Sequence, residues 1–211
     1  MTFDKKFKEA ISRLPSSEKD KLIFRLLKKD LDMANRLYFE LVSGDSKEDR
    51  RKQVKKEIEN RTDMFKRHVK YSTPGIMMME MRDASGIINE HVHTTKDKYG
   101  EVYLHLFLLS EYLKIYNDFY KDSSHQKSYT LNIYCIARAF KIMILLKKMH
   151  EDLQFDFVDD IAETGRLFGD NPLLMKVAIH NGLDVNWLIK NNIPDNIPEI
   201  EKNLRQRGYL K

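Results

Sequence analysis

Apolar residues recur along this chain at steps of three and four, the spacing that gathers side chains on one face of a helix. Ile23, Leu27, Leu31, Ala34, Tyr38 and Leu41 form one such stripe. Met77, Met81, Ala84, Ile88 and His91 form a second, and His105, Leu108, Tyr112, Ile115 and Phe119 a third. The punctuation between stripes is that of consecutive helices. A first helix is expected over Phe3 to Arg13, ending before Pro15. Ser16 and Ser17 cap a second, with Glu18 and Asp20 in its first turn and Gly44 closing it. Asp45 and Glu48 have the spacing of a capping box for a third, which runs to about Tyr71. Thr73 and Pro74 start a fourth, and a fifth follows Gly100 from about Glu101 to Tyr120. Ser123 and Gln126 form another box before a long sixth helix reaching about Leu153. After about residue 154 the elements shorten: Phe155 to Leu167, Pro172 to Asn181, Asp184 to Asn191, and a last helix following Pro198.

This pattern predicts an all-α fold, a single-domain multi-helix bundle of roughly eight to ten helices over residues 1–211. No repeat of solenoid length is evident, and no Pro/Gly/Ser linker divides the chain. Composition agrees. Apolar residues make up 42% and charged residues 33%, and only 8 Gly and 5 Pro interrupt 211 residues, which suits long helices with few turns. The runs "VYLHLFLLSEYLKIY" and "LNIYCIARAFKIMILL" are each interrupted by polar or charged residues, so both are expected in a protein core rather than a membrane. The start, "MTFDKKFKEAIS", lacks the apolar stretch of a signal peptide. One cysteine, Cys135, leaves no disulfide framework and fits a reducing cytoplasm.

Charge changes the picture in one respect. The net charge of +5 is uneven: +7 over residues 1–70, +2 over 71–150 and −4 over 151–211. The charged N-terminal portion, about 1–71, holds the basic stretch "KEDRRKQVKKEIENRTDMFKRHVK". Its Arg50, Arg51 and Lys55 are candidates for phosphate contacts. Interleaved acids and a scarcity of stacking aromatics favour a solvated face. A second nucleic-acid candidate is the hairpin "VAIHNGLDVNWLIKNN", where Ala178, Gly182, Leu183 and Leu188 have the spacing of a helix-turn-helix. Its second helix would offer Asn186, Lys190 and Asn192 to bases, but its surroundings are acidic, and a structural hairpin is the expectation.

Two patterns suggest metal chemistry. His91 and His93 form a His-x-His pair beside Glu90. On a strand both rings would point one way; on a helix they diverge by roughly 200° and cannot share an ion. Since residues 74–92 have helical spacing, a buried, hydrogen-bonded His91 and an exposed His93 are expected, with His105 a core histidine. In "DFVDDIAETG", Asp156, Asp160 and Glu163 share a helix face with Asp159 adjoining. Such carboxylates can hold Mg²⁺ against substrate phosphates, or simply complement a helix dipole.

The segments "LPSSEKDKLIFRLLKKDLDMANRLYFELV", "INEHVHTTKDKYGEVYL", "SYTLNIYCIARAFKI" and "GDNPLLMKVAIHNGLDVNWLIKNNIP" resemble a group of helical proteins of Bacteroidetes, and the resemblance covers nearly the whole chain. Members are sometimes labelled deoxyuridine triphosphate nucleotidohydrolases. The label implies a Mg²⁺-dependent nucleotide pyrophosphohydrolase, with Asp156, Asp159, Asp160 and Glu163 as metal ligands. All-α enzymes of that activity carry Glu-x-x-Glu followed by Glu-x-x-Asp. This chain has no Glu-x-x-Glu, and Asp156-x-x-Asp159 and Asp160-x-x-Glu163 only approximate the pattern. The residues themselves point to a cytoplasmic helical interaction protein without catalysis or cofactor, acting through a protein partner or self-association, away from membranes and not chiefly on nucleic acid.

Overall fold

The structure is a computed structural model that describes residues 2–121 and 124–211. It is all-α, with no strand among the described residues. The helices are α1 (Lys5–Ser12), α2 (Ser16–Leu27), α3 (Leu31–Leu41), α4 (Lys47–His68), α5 (Pro74–Thr95), α6 (Lys98–Phe119) and α7 (His125–Lys147). Short elements follow: α8 (Glu151–Gln154), α9 (Val158–Gly169), α10 (Pro172–His180), α11 (Asn186–Ile189) and α12 (Ile197–Gln206). Backbone contacts divide the chain into two compact units. One holds the residues up to Asp45 together with His93–Thr95; the other holds Ser46–Val92 and Lys96–Lys211. The division thus falls at residue 45, where Gly44 and Asp45 separate α3 from α4.

The first unit contains α1, α2 and α3. The single helix expected from Ser16 to Gly44 is two helices. Asp30 interrupts it because its carboxylate accepts from the Met33 amide at 3.0 Å, capping a new N-terminus instead of continuing the old helix. None of the three helices contains a buried residue. The stripe Ile23–Leu41 lies largely open to solvent: Leu31 is 71% and Leu41 79% exposed.

The second unit is organised around α6. Its buried positions run almost consecutively, including Leu104, His105, Leu106, Leu108, Leu109, Tyr112, Leu113 and Tyr116, while the narrow side bearing Tyr103, Phe107, Glu111 and Lys114 is half-buried or exposed. A helix with so wide an apolar face must be covered on several sides, and α4, α7 and α9 pack against it. From α5 the expected stripe Met77, Met81, Ala84, Ile88 and His91 is wholly buried. By length and composition α7 is the one helix among the described residues that could cross a membrane. Leu131, Ile136, Phe140 and Met143 instead join it to the core. Two polar side chains bond across helices: Tyr116 donates to Asn132 Oδ1 at 2.6 Å, and Asn117 donates to the Leu167 carbonyl at 2.9 Å. Gly165 on α9 permits a close approach of α11, since a Cβ there would stand 2.9 Å from the backbone nitrogen of Ile189.

Several boundaries differ from the expectation. The capping box before α4 is Ser46 with Asp49, one residue later than Asp45 and Glu48, because the Ser46 hydroxyl and the Asp49 carboxylate satisfy each other's amides. The long sixth helix stops at Lys147 rather than Leu153; His150 turns extended there and caps α8, its ring accepting from the Asp152 amide. The helix expected over Asp184 to Asn191 is one turn. Asp184 accepts from the Asn186 amide at 2.9 Å, and Asn191 takes a positive φ of 49° that ends it. Ser123 of the expected Ser123–Gln126 box lies outside the described residues.

Candidate functional site

Helix α5 continues through His93 to Thr95, so the His-x-His pair is helical and its rings diverge. His91 is 2% exposed, while His93 faces solvent. The partner of His91 is one that spacing did not show. Its Nε2 lies 3.2 Å from Asp97 Oδ2, across the turn between α5 and α6. Asp97 is also gripped by Arg51 of α4, which donates from Nε at 2.7 Å and Nη2 at 2.9 Å, a bidentate pair. The same carboxylate caps α6 by accepting from the Gly100 amide at 2.9 Å. Burial alone would raise the Asp97 carboxyl; hydrogen bonds from His91, Arg51 and Gly100 reverse that and hold it well below the usual carboxylate range. Gly100 is required by this arrangement, because a Cβ would fall 2.1 Å from Asp97 Oδ2 and 2.9 Å from Arg51 Nε. Arg51 finally stacks over the Tyr99 ring, 4.8 Å from its centre. The cluster joins α4, α5 and α6.

Arg51 is therefore committed to the interior, unlike the phosphate contact considered for it. Lys55 lies over the rings of Phe107 and Tyr103, 4.9 and 5.6 Å from their centres, and pairs with Glu59. Arg50 is exposed and donates to Gln53, and Lys190 is exposed just beyond α11. Thus the four basic candidates lie in different settings, with no common surface evident in their contacts. The hairpin's second helix, at four residues, packs against α9. Asn181, which stands where a helix-turn-helix has an apolar residue, is buried, donating to the Val177 carbonyl and accepting from the Leu210 amide.

The acidic row is spread over two elements. Asp156 belongs to a 3-10 turn, Phe155–Phe157, and lies beside the Tyr99 hydroxyl. Asp159 and Asp160 are exposed in the first turn of α9, and Glu163 pairs with Arg166 at 3.1 Å. Among the described residues, no group of three His, Cys, Asp or Glu side chains is placed to hold a metal ion.

Two of the concave surfaces on the second unit include basic residues of α4 or α7. A groove of about 670 Å³ lies between α4 and the start of α5, lined by Arg61, Met64, Phe65, His68, Tyr71 and Ile76 among others. Arg61 stands there between Glu57 and Glu80, at 3.6 and 3.9 Å. The second, of about 420 Å³, runs between α7 and α12. Tyr134, Arg138, Lys141, Leu145 and Lys148 line it from α7 at steps of four, three, four and three, one helical stripe. Lys141 Nζ donates to His105 Nε2 at 2.7 Å and to Asn89 Oδ1 at 3.2 Å. Burial, with Lys141 and Arg138 nearby, holds the His105 imidazole neutral, its pKa pushed well below the ordinary value. Burial and Arg138 lower that of Lys141 too. Sequence reading passed over this stripe because Arg138 and Lys141 register only as interruptions of an apolar run. Their spacing with Tyr134 and Lys148 was the available signal.

No family model, curated protein or solved structure matches the chain.

Proposed function

We propose that this is a helical interaction protein, without catalysis of its own, whose N-terminal helices bind a protein partner or a second copy of the chain. One observation carries the reading. The helices α1 to α3 are amphipathic, yet none buries a residue, and Phe7, Phe24, Leu31, Met33, Tyr38 and Leu41 all stand exposed. Single exposed apolar residues are ordinary; a succession of them on three consecutive helices marks a surface that gains by being covered. Forty-odd residues that enclose nothing fall below the size at which a core supports itself. Binding would supply the missing interior. The free thiol of Cys135 fits a reducing, cytoplasmic setting for such a protein.

The test is the solution mass by light scattering together with capture from a lysate, on the natural chain and on a variant carrying Phe24→Asp and Leu41→Asp. The reading expects self-association or a captured protein that the double variant loses. A strict monomer that captures nothing overturns it.

A further inference from the structure

The groove between α7 and α12 holds an uneven charge balance. Four cationic side chains line it, Arg138, Lys141, Lys148 and Arg205, against one carboxylate, Glu201. That carboxylate is taken by Arg205, one turn along α12. Glu101, the acid on α6 nearest in effect to Lys141, is engaged by Lys98 at 3.1 Å. Among the described residues, Arg138, Lys141 and Lys148 thus face the groove without a carboxylate of their own.

Lys141 is the informative member. It is half-buried, and both groups that hold it are neutral acceptors, the His105 imidazole and the Asn89 amide oxygen. An ammonium has three N–H donors, so two are satisfied without cancelling the charge and the third is left over. His105, 2% exposed, fixes the ammonium from behind. A partly desolvated cation normally acquires a counter-charge, because burial without one is costly. Here the fold spends two neutral hydrogen bonds on orienting the charge and leaves the counter-charge to come from outside. Arg138, 4.7 Å over the Tyr134 ring, is held in a fixed plane one turn away and adds a fork suited to phosphate oxygens. The rest of the wall is apolar, Ala137, Ile144 and Leu145. A few convergent polar groups in an apolar concavity of this volume is the ordinary character of a small-molecule site.

We propose that this groove binds the phosphate groups of a small phosphorylated molecule, with Arg138 and Lys141 as the primary contacts and Lys148 as an outer one. The inference is independent of partner binding by α1–α3.

Calorimetric titration of the full chain with inorganic pyrophosphate tests it. Saturable binding at one site per chain is expected. Arg138→Gln and Lys141→Gln should each weaken it about tenfold, the size of one lost charge-assisted hydrogen bond. Arg50→Gln, which removes an exposed cation from α4, should change it less than about twofold. Circular dichroism checks that the variants fold. A nitrogen-15 signal from His105 that moves on titration in the natural chain places the anion without any substitution. Failure to saturate by about 10 mM pyrophosphate, an equal loss in Arg50→Gln, or an unmoved His105 signal would overturn the proposal. Binding of duplex DNA that pyrophosphate does not displace would also overturn it, since the anion would then be a nucleic-acid backbone held elsewhere.

Discussion

Helices α3 and α6 carry comparable apolar side chains and end in opposite states. In α3, Leu31, Tyr38 and Leu41 face water; in α6, Leu108, Tyr112 and Ile115 are enclosed. Helix propensity does not separate them, because both form. The difference is what stands opposite. Helix α6 has neighbours on several sides and a wide apolar face, whereas α3 has a one-sided stripe and no core of its own unit to seal it. Amphipathicity records that a face should be covered; it does not record by what. Burial is worth about 25 cal/mol per Å² of apolar surface, so α1–α3 hold stabilisation in reserve that the second unit has already realised.

The comparison can be broken most sharply at the Arg51–Asp97 pair of the second unit. Arg51→Ala strands a buried carboxylate and should cost about 3–5 kcal/mol in denaturant unfolding at neutral pH. A cost under about 1 kcal/mol would show the cluster to be open to water. Because Asp97 is held below its ordinary range, its contribution is fully present above the unfolded carboxyl pKa near about 3.9 and is lost as pH falls through the folded value. Asp97→Asn should therefore be less stable at neutral pH and show a shallower acid slope than the natural chain.

Next comes packing. Leu108→Ala in α6 should cost about 3 kcal/mol through the cavity it leaves, whereas Leu41→Ala in α3 should stay within about 0.5 kcal/mol. Equal costs at the two sites would mean that α3 is buried in solution. Amide exchange sharpens the same contrast: α6 should exchange only through global unfolding, and α1–α3 much faster. Close approach gives a smaller effect. Gly165→Ala should cost about 1–3 kcal/mol as α9 and α11 are pushed apart. Smallest is Tyr116→Phe, expected to lose about 1 kcal/mol with the hydrogen bond to Asn132. Cys135 gives a yes-or-no check on the core. Burial pushes its thiol up to about 12, so it should resist a disulfide reagent at neutral pH until the chain unfolds.

The local rules carried a long way. Thr73 with Pro74 starts α5, Asn171 with Pro172 starts α10, and the stripe from Met77 to His91 faces inward throughout. They failed where a short polar side chain could choose between neighbours. Asp30 caps rather than continues a helix, and Ser46 takes the box from Asp45. The candidate sites fared less well, because a site is a meeting of residues far apart in the chain. Asp97 draws in Arg51 from 46 residues away. Lys141 reaches back 36 residues to His105 and 52 to Asn89. The stripe on α7 was visible as a spacing, but its role depended on α12 lying opposite and on the nearby Glu201 and Glu101 being engaged by Arg205 and Lys98.

By itself, the sequence determined the all-helical class, most helix starts, and the faces of α5 and α6 that must leave water, since these follow from periodicity and capping within a turn or two of chain. Tertiary structure alone decided which polar residues meet, which apolar faces find cover, and where positive charge is left uncompensated. Those outcomes depend on contacts closed through space, and the energies of desolvation and ion pairing that govern them do not exist until the helices come together.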